Sequence, residues 1–186
     1  IDFCWVEFSK NKHWNFKILA AETESYSTEM KAQLSGAISL NQTELENLNQ
    51  EYTKYLGHRI YNFIQKHQIS NLDAVCSHGH TVFHQPENGL TLQIGNLPKI
   101  ADYIQQTVVC DFRIQDVALG GQGAPLVPVG DALLFPEYDF CLNLGGFANI
   151  SFQNNDQRVA FDICPANISL NHYIKNLGFN YDKDGS

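Results

Sequence analysis

The chain is 186 residues long, 44% apolar and 17% charged, which describes a folded protein with enough length for a core rather than a disordered segment. Twenty acidic residues against twelve basic ones leave a formal charge of -8, which excludes an electrostatic grip on a nucleic-acid backbone as a leading function. No apolar run approaches the roughly 20 residues that cross a bilayer and no charged-then-apolar leader opens the chain, so a soluble, cytoplasmic protein without a membrane partner is expected.

Ile1 to Phe8 is rich in β-branched and aromatic residues and reads as a strand that starts at once, as though the N-terminus were cut. The polar turn Ser9 to Lys12 leads to a second strand, Trp14 to Ala20, in a hairpin. Asn41-Gln-Thr-Glu44 supplies cap-type residues ahead of Leu45, Leu48, Tyr52, Leu56, Ile60, Phe63 and Ile64, whose spacing of three and four predicts a helix over Thr43 to His67. Short apolar runs at Leu72 to Ser77 and Thr91 to Ile94 read as buried strands, with Gln85 to Gly89 a turn between them. A helix from Leu97 to Gln105 precedes a strand at Thr107 to Phe112. Glycine and proline crowd Gly120 to Gly130, which reads as a shaped loop with a function. Strands follow at Phe140 to Leu144, Phe147 to Phe152 and Arg158 to Ile163, then a helix from Ala166 to Leu177. A lobe boundary is expected at Phe135-Pro136, giving lobes 1–135 and 136–186. The five cysteines, Cys4, Cys76, Cys110, Cys141 and Cys164, never form a Cys-x-x-Cys pair and mostly sit in apolar runs, so buried thiols are expected.

Three segments carry candidate chemistry. Between Asp111 and Pro128, two carboxylates (Asp111, Asp116) and Arg113 sit beside Gly120, Gly121 and Gly123. Glycines let backbone amides approach a ligand, and a carboxylate there can act as a general base, while the plain alternative is a turn with a capping aspartate. Gly145-Gly146 joins two strands, where main-chain amides could line a phosphate-binding concavity, or the pair could simply supply positive φ to a tight hairpin. His78, His80 and His84 crowd together, with His78 and His80 on one side of an extended strand. Substrate hydrogen bonding, a structural role and a metal site stay open for them, although no carboxylate stands at metal-ligand spacing.

Ser77-His-Gly-His-Thr-Val-Phe-His-Gln-Pro86, Leu92-Gln-Ile-Gly95, Asp111-Phe-Arg113, Asp116-Val-Ala-Leu-Gly-Gly-Gln-Gly-Ala-Pro-Leu-Val-Pro128 and Asn143-Leu-Gly-Gly-Phe-Ala-Asn-Ile-Ser151 together resemble the anhydro-N-acetylmuramic acid kinase family, in the same order and over most of the chain. Phe161-Asp162-Ile-Cys-Pro-Ala-Asn167 resembles a further family stretch, with Cys164 and Ala166 where glycines are usual. His80 stands where glutamine is common. The resemblance implies an α/β fold of the two-lobed actin, hexokinase and acetate-kinase type, its first lobe nearly complete and its second only begun. The family's first phosphate turn and the rest of the second lobe are expected to lie outside these residues, so a fragment inactive on its own is expected. The resemblance also implies ATP with Mg2+ as cosubstrate, no protein metal site, and hydrolytic phosphorylation of 1,6-anhydro-N-acetylmuramic acid to N-acetylmuramic acid 6-phosphate in peptidoglycan recycling. Asp116 is then the base. His78, Arg113, Gly121, Gln122, Gly123, Asp162 and Asn167 face the sugar, with Arg113 orienting or pairing with the Asp116 carboxylate. Gly145, Gly146 and Asn149 face the phosphates. A homodimer is a further expectation. A non-catalytic sugar-binding module and an anhydro-sugar hydrolase are the alternatives.

Overall fold

The computed structural model describes residues 1–179 and Tyr181. The chain is mixed α/β and divides into two compact units, one formed by Ile1–Phe8 with Phe16–Ala124, the other by Ser9–Asn15 with the described residues from Pro125 onward. Strands β1 (Asp2–Lys10) and β2 (Trp14–Thr23) form the expected hairpin, closed at its base by Glu24 N donating to Ile1 O at 2.8 Å.

The first unit is organised by one long helix. Helix α2 (Gln42–Lys66) starts where the spacing predicts, because Asn41 and Glu44 form a reciprocal capping box. Its buried face is Leu45, Leu48, Tyr52, Leu56, Ile60, Phe63 and Ile64, joined by Thr53 and Gly57. Phe3 of β1 stacks on Phe63 with ring centroids 5.3 Å apart. Glu22 accepts from Lys66 at 2.7 Å and meets His67 Nε2 at 2.6 Å; both partners hold its carboxyl below the usual range. Helix α3 (Lys99–Ile104) packs on α2 at Gly57, where a Cβ would fall 2.8 Å from Tyr103 Cβ, so only glycine permits that approach.

Several elements differ from expectation. Helix α1 (Thr28–Gly36) has only Met30 and Leu34 buried, too sparse a stripe to reveal a period. The run from Leu72 to Ser77 contributes only β3 (Val75–Cys76), paired in parallel with β6 (Val108–Val109), to which the expected strand at Thr107 to Phe112 shrinks. Strand β4 (His80–Gln85) pairs antiparallel with β5 (Leu90–Ile94); its histidines and glutamine hid it from a search for apolar runs. Helix α4 (Phe112–Ala118) begins where the strand was expected to end. The glycine- and proline-rich stretch is a loop only to Leu126, since α5 (Val127–Leu134) carries Pro128 in its first turn, where proline's missing N–H costs no helix bond.

In the second unit, β7 (Phe140–Leu144), β8 (Phe147–Asn154) and β9 (Gln157–Pro165) form an antiparallel sheet in that order, followed by α6 (Asn167–Lys175). Phe140 lies opposite Phe152, and Ile150 opposite Phe161. Helix α5 is tied to this sheet by a short hydrogen bond from Ser151 Oγ to Asp131 Oδ2, while Arg158 donates to Ser151 Oγ at 2.8 Å. Among the described residues, only Ala148 and Ser151 of this unit are buried.

The expectation of buried thiols is overturned. All five cysteines are free, with Cys4, Cys76 and Cys164 exposed and Cys110 and Cys141 half-buried. In β1 the two-residue period puts Phe3 inward and Cys4 outward. Among the described residues, no helix is long and apolar enough to cross a membrane.

Candidate functional site

Asp116 and the glycine loop form a closed local structure. Asp116 lies on the last turn of α4, and its Oδ2 accepts the Gly123 N–H at 2.7 Å. Its main-chain carbonyl accepts the Gly121 N–H at 2.8 Å. A Cβ on Gly121 would run into the Asp116 carboxylate, and one on Gly123 would lie 2.9 Å from Val117 Cγ2 at a residue whose φ of +70° already disfavours side chains. These glycines permit close approach to Asp116 and the turn geometry, and the amides of Gly121 and Gly123 are taken up by Asp116 itself. Gln122 is exposed between them.

Arg113 does not pair with Asp116. Its Nη1 donates to Gly123 O at 3.2 Å and its Nε donates to His78 Nε2 at 2.9 Å. Burial lowers its pKa from the ordinary guanidinium value. Asp111, at the head of α4 with φ +61°, accepts from Asn96 Nδ2 at 3.3 Å, and the same amide nitrogen donates to His78 O at 3.3 Å. Cys110 beside it has its thiol pKa raised by burial and by the neighbouring Asp111 charge. Asn96 also accepts from Ser77 Oγ at 3.0 Å. The sequence pattern of Leu-Gln-Ile-Gly gave no reason to single out Asn96, which lies just past it and joins Ser77, His78 and Asp111.

The three histidines separate rather than converge. Gly79, with φ +70° and Ile94 O where its Cβ would be, breaks the extended run, so His78 and His80 do not share one strand. His78 turns to Arg113, His80 meets the Tyr52 ring edge-on at 6.1 Å, and His84 lies 3.4 Å from Thr91 Oγ1. Among the described residues, no three His, Cys, Asp or Glu side chains gather as metal ligands.

In the second unit the glycine pair sits between β7 and β8, and the start of α6 closes on it. Ala166 N and Ile168 N donate to Gly146 O at 2.9 and 3.2 Å, and Asn167 N donates to Gly145 O at 3.1 Å. Asn167 Nδ2 adds a bond to Leu144 O at 3.3 Å, so its side chain holds the turn. Neither glycine has positive φ, which removes the backbone reason for glycine; space is the remaining one, since a Cβ on Gly146 would press on Ile168 at 3.3 Å. Asn149 lies opposite Asn143 on one side and opposite the exposed Asp162 on the other, giving a row of three polar residues across the sheet.

Comparisons with known proteins put the chain in a family of carbohydrate kinases. A model of the family described as Anhydro-N-acetylmuramic acid kinase matches residues 1–186, and the chain belongs to that family. Three curated relatives bear the same name. The protein of Pseudomonas syringae pv. syringae is 35% identical over 180 residues, covering 91% of this chain and 50% of the relative. That of Pseudoalteromonas translucida is 32% identical over 196 residues, covering 94% and 49%. That of Pseudomonas putida is 45% identical over 118 residues, covering 61% and 32%. The chain spans about half the length of the first of these relatives.

Proposed function

We propose that the protein phosphorylates 1,6-anhydro-N-acetylmuramic acid with ATP and opens its anhydro ring in the same reaction, yielding N-acetylmuramic acid 6-phosphate for cytoplasmic peptidoglycan recycling. The relatives' shared name supports the substrate, and neither the binding-module nor the hydrolase alternative gains support from it. The observation that carries the mechanism is the fixed Asp116 carboxylate, with Oδ2 engaged by Gly123 N–H. Asp116 takes a proton from water; the water oxygen bonds to C1 as the C1–O6 bond breaks. O6 bonds to the γ-phosphorus as the bond from that phosphorus to the β–γ bridging oxygen breaks, releasing ADP. Magnesium enters with the nucleotide and neutralises charge on its phosphates.

In this reading the loop of Gly121, Gln122 and Gly123 faces the sugar, with His78 and Arg113 beside it, and Asp162 is a further sugar contact. Gly145, Gly146 and Asn149 face the phosphates, and Asn167 supports them through Leu144 O. The fold is proposed to be the two-lobed actin and hexokinase type, with lobes 1–135 and 136–186, and the full-length protein to be a homodimer. Asp116→Asn tests the base. Turnover of the full-length protein is expected to fall at least about 100-fold, with calorimetric sugar affinity changed less than about threefold. Turnover near that of the wild type would move the base elsewhere, Asp111 being the next carboxylate.

A further inference from the structure

Gly123 is gripped at both of its main-chain polar groups. Its N–H donates to Asp116 Oδ2 at 2.7 Å, and its carbonyl accepts from Arg113 Nη1 at 3.2 Å. The residue is buried, and its φ of +70° together with the close Val117 side chain leaves no room for a side chain at this point of the loop. Arg113 is in turn held from behind, Nε donating to His78 Nε2 at 2.9 Å. That bond needs a bare Nε2, so the imidazole is neutral with its proton on Nδ1, and Nδ1 has an acceptor in Gly79 O at 3.2 Å. Among the described residues, no carboxylate forms an ion pair with Arg113.

We propose that Arg113 is a positioning residue for Asp116, acting through Gly123, and that His78, neutral and protonated on Nδ1, sets Arg113. The proposal rests on the reading of Asp116 as the base and deepens it. It takes Arg113 and His78 out of direct sugar contact and makes them the support that fixes where the carboxylate points. Guanidinium geometry explains the residue type: one planar fork offers two donors in different directions, Nη1 to the loop and Nε to the imidazole, which an ammonium on a flexible stem cannot reproduce. A proton on His78 Nε2 would remove the acceptor and set two cations against each other. Near His78 lie His80 at the start of β4 and, joined through Asn96, Asp111 at the head of α4, while Arg113 is in direct contact. The grip on Gly123 therefore requires the His78 lone pair that faces Arg113.

The chain itself provides the first test. Long-range proton–nitrogen correlation spectra are expected to show the His78 proton on Nδ1, and Arg113→Lys to abolish that preference and speed Gly123 amide exchange at least about 10-fold. A proton on Nε2 in the wild-type chain would overturn the proposal. In the full-length protein, Arg113→Lys is expected to lower kcat about 10- to 100-fold with the sugar KM within about threefold, the signature of a misplaced catalytic group. A risen KM with kcat held would make Arg113 a sugar contact and overturn the proposal. Glutamine at position 78 keeps an acceptor for Arg113 and alanine does not, so His78→Gln is expected to lower kcat less than His78→Ala does. Equal losses of kcat in His78→Gln and His78→Ala would also overturn it. If Asp116→Asn keeps its turnover, the assignment of the base fails on its own account, and the His78 tautomer and Gly123 exchange still decide whether the clasp exists.

Discussion

The two units hold their candidate residues by different means. In the first, Asp116 and its loop belong to a unit with a continuous apolar core, in which Ile94, Ile100 and Ala37 are at most 1% exposed. In the second, Phe140, Leu142 and Leu144 along β7 remain 58 to 65% exposed, the glycine turn is held by main-chain bonds from Ala166, Asn167 and Ile168, and the Asp131, Ser151 and Arg158 cluster ties α5 to β8 and β9. Apolar burial is the main stabilising term in folding, whereas each hydrogen bond adds little net. The carboxylate is thus carried by the better-packed unit and the glycine turn by the more easily deformed one.

The sharpest way to break this contrast is to truncate one apolar residue in each unit. Ile94→Ala is expected to destabilise the chain by about 2–5 kcal/mol, because it empties a fully enclosed site. Leu142→Ala, at a side chain already in solvent, should change stability by no more than about 0.5 kcal/mol. Denaturant unfolding of both variants checks this, and equal losses would mean that the second unit has a core of its own.

The next effect concerns what replaces that core. Ser151→Ala removes the hydroxyl between Asp131 and Arg158, whose side chains are only 16% and 17% exposed. Leaving mostly buried polar groups short of a partner costs about 1–3 kcal/mol. Hydrogen exchange is expected to speed in β8 and β9 while α2 stays protected. Exchange rising equally in both places would show that the units unfold together.

How far the sequence could be read follows the same division. Helix α2 was legible because its cap and its spacing of three and four agree, and the apolar β7 to β9 hairpins were legible from their runs and turns. Helix α1 was not, since two buried residues cannot mark a face, and α5 was hidden because Pro128 reads as a breaker unless its place in the first turn is known. At the site, Asp116 and its glycines stand within eight residues and declare themselves. The bonds from Arg113 to Gly123 and His78 span 10 and 35 residues, and depend on Asp111, Gly79 and Gly123 all adopting positive φ. No spacing rule reaches them, so the link from Arg113 to Asp116 through Gly123 was not visible in the sequence.

Gly146→Val sharpens the comparison at the turn. Since Gly146 has negative φ, valine meets no left-handed strain; it needs only to displace Ile168, which its Cβ would approach at 3.3 Å. That displacement is small, so the effect is expected to be local to the turn. The ATP KM is expected to rise by up to about 10-fold, with the sugar KM held and thermal stability nearly unchanged. A sugar KM that rises as much as that for ATP would separate this turn from the phosphates.

The smallest expected effect lies in the first unit and depends on its packing. His80 is half-buried at the start of β4 against Tyr52, and desolvation lowers its pKa, outweighing a main-chain hydrogen bond with Leu34 that favours the charged form. In the unfolded chain the same imidazole titrates at its ordinary value of about 6.5. Between the two pKa values the unfolded state binds the extra proton, so this contribution to stability is complete above the ordinary imidazole pKa. It is lost as pH falls from there towards the lowered folded value. Glutamine cannot titrate, so His80→Gln removes this slope. Melting temperatures of wild type and His80→Gln should diverge in favour of glutamine as pH falls from about 7.5 to 5.5, while His172→Gln, at an exposed position on α6, serves as the control in the other unit. Parallel curves for wild type and His80→Gln would mean that the imidazole takes its proton as readily beside Tyr52 as in the unfolded chain, and that the packing around β4 is looser than the contrast between the units requires.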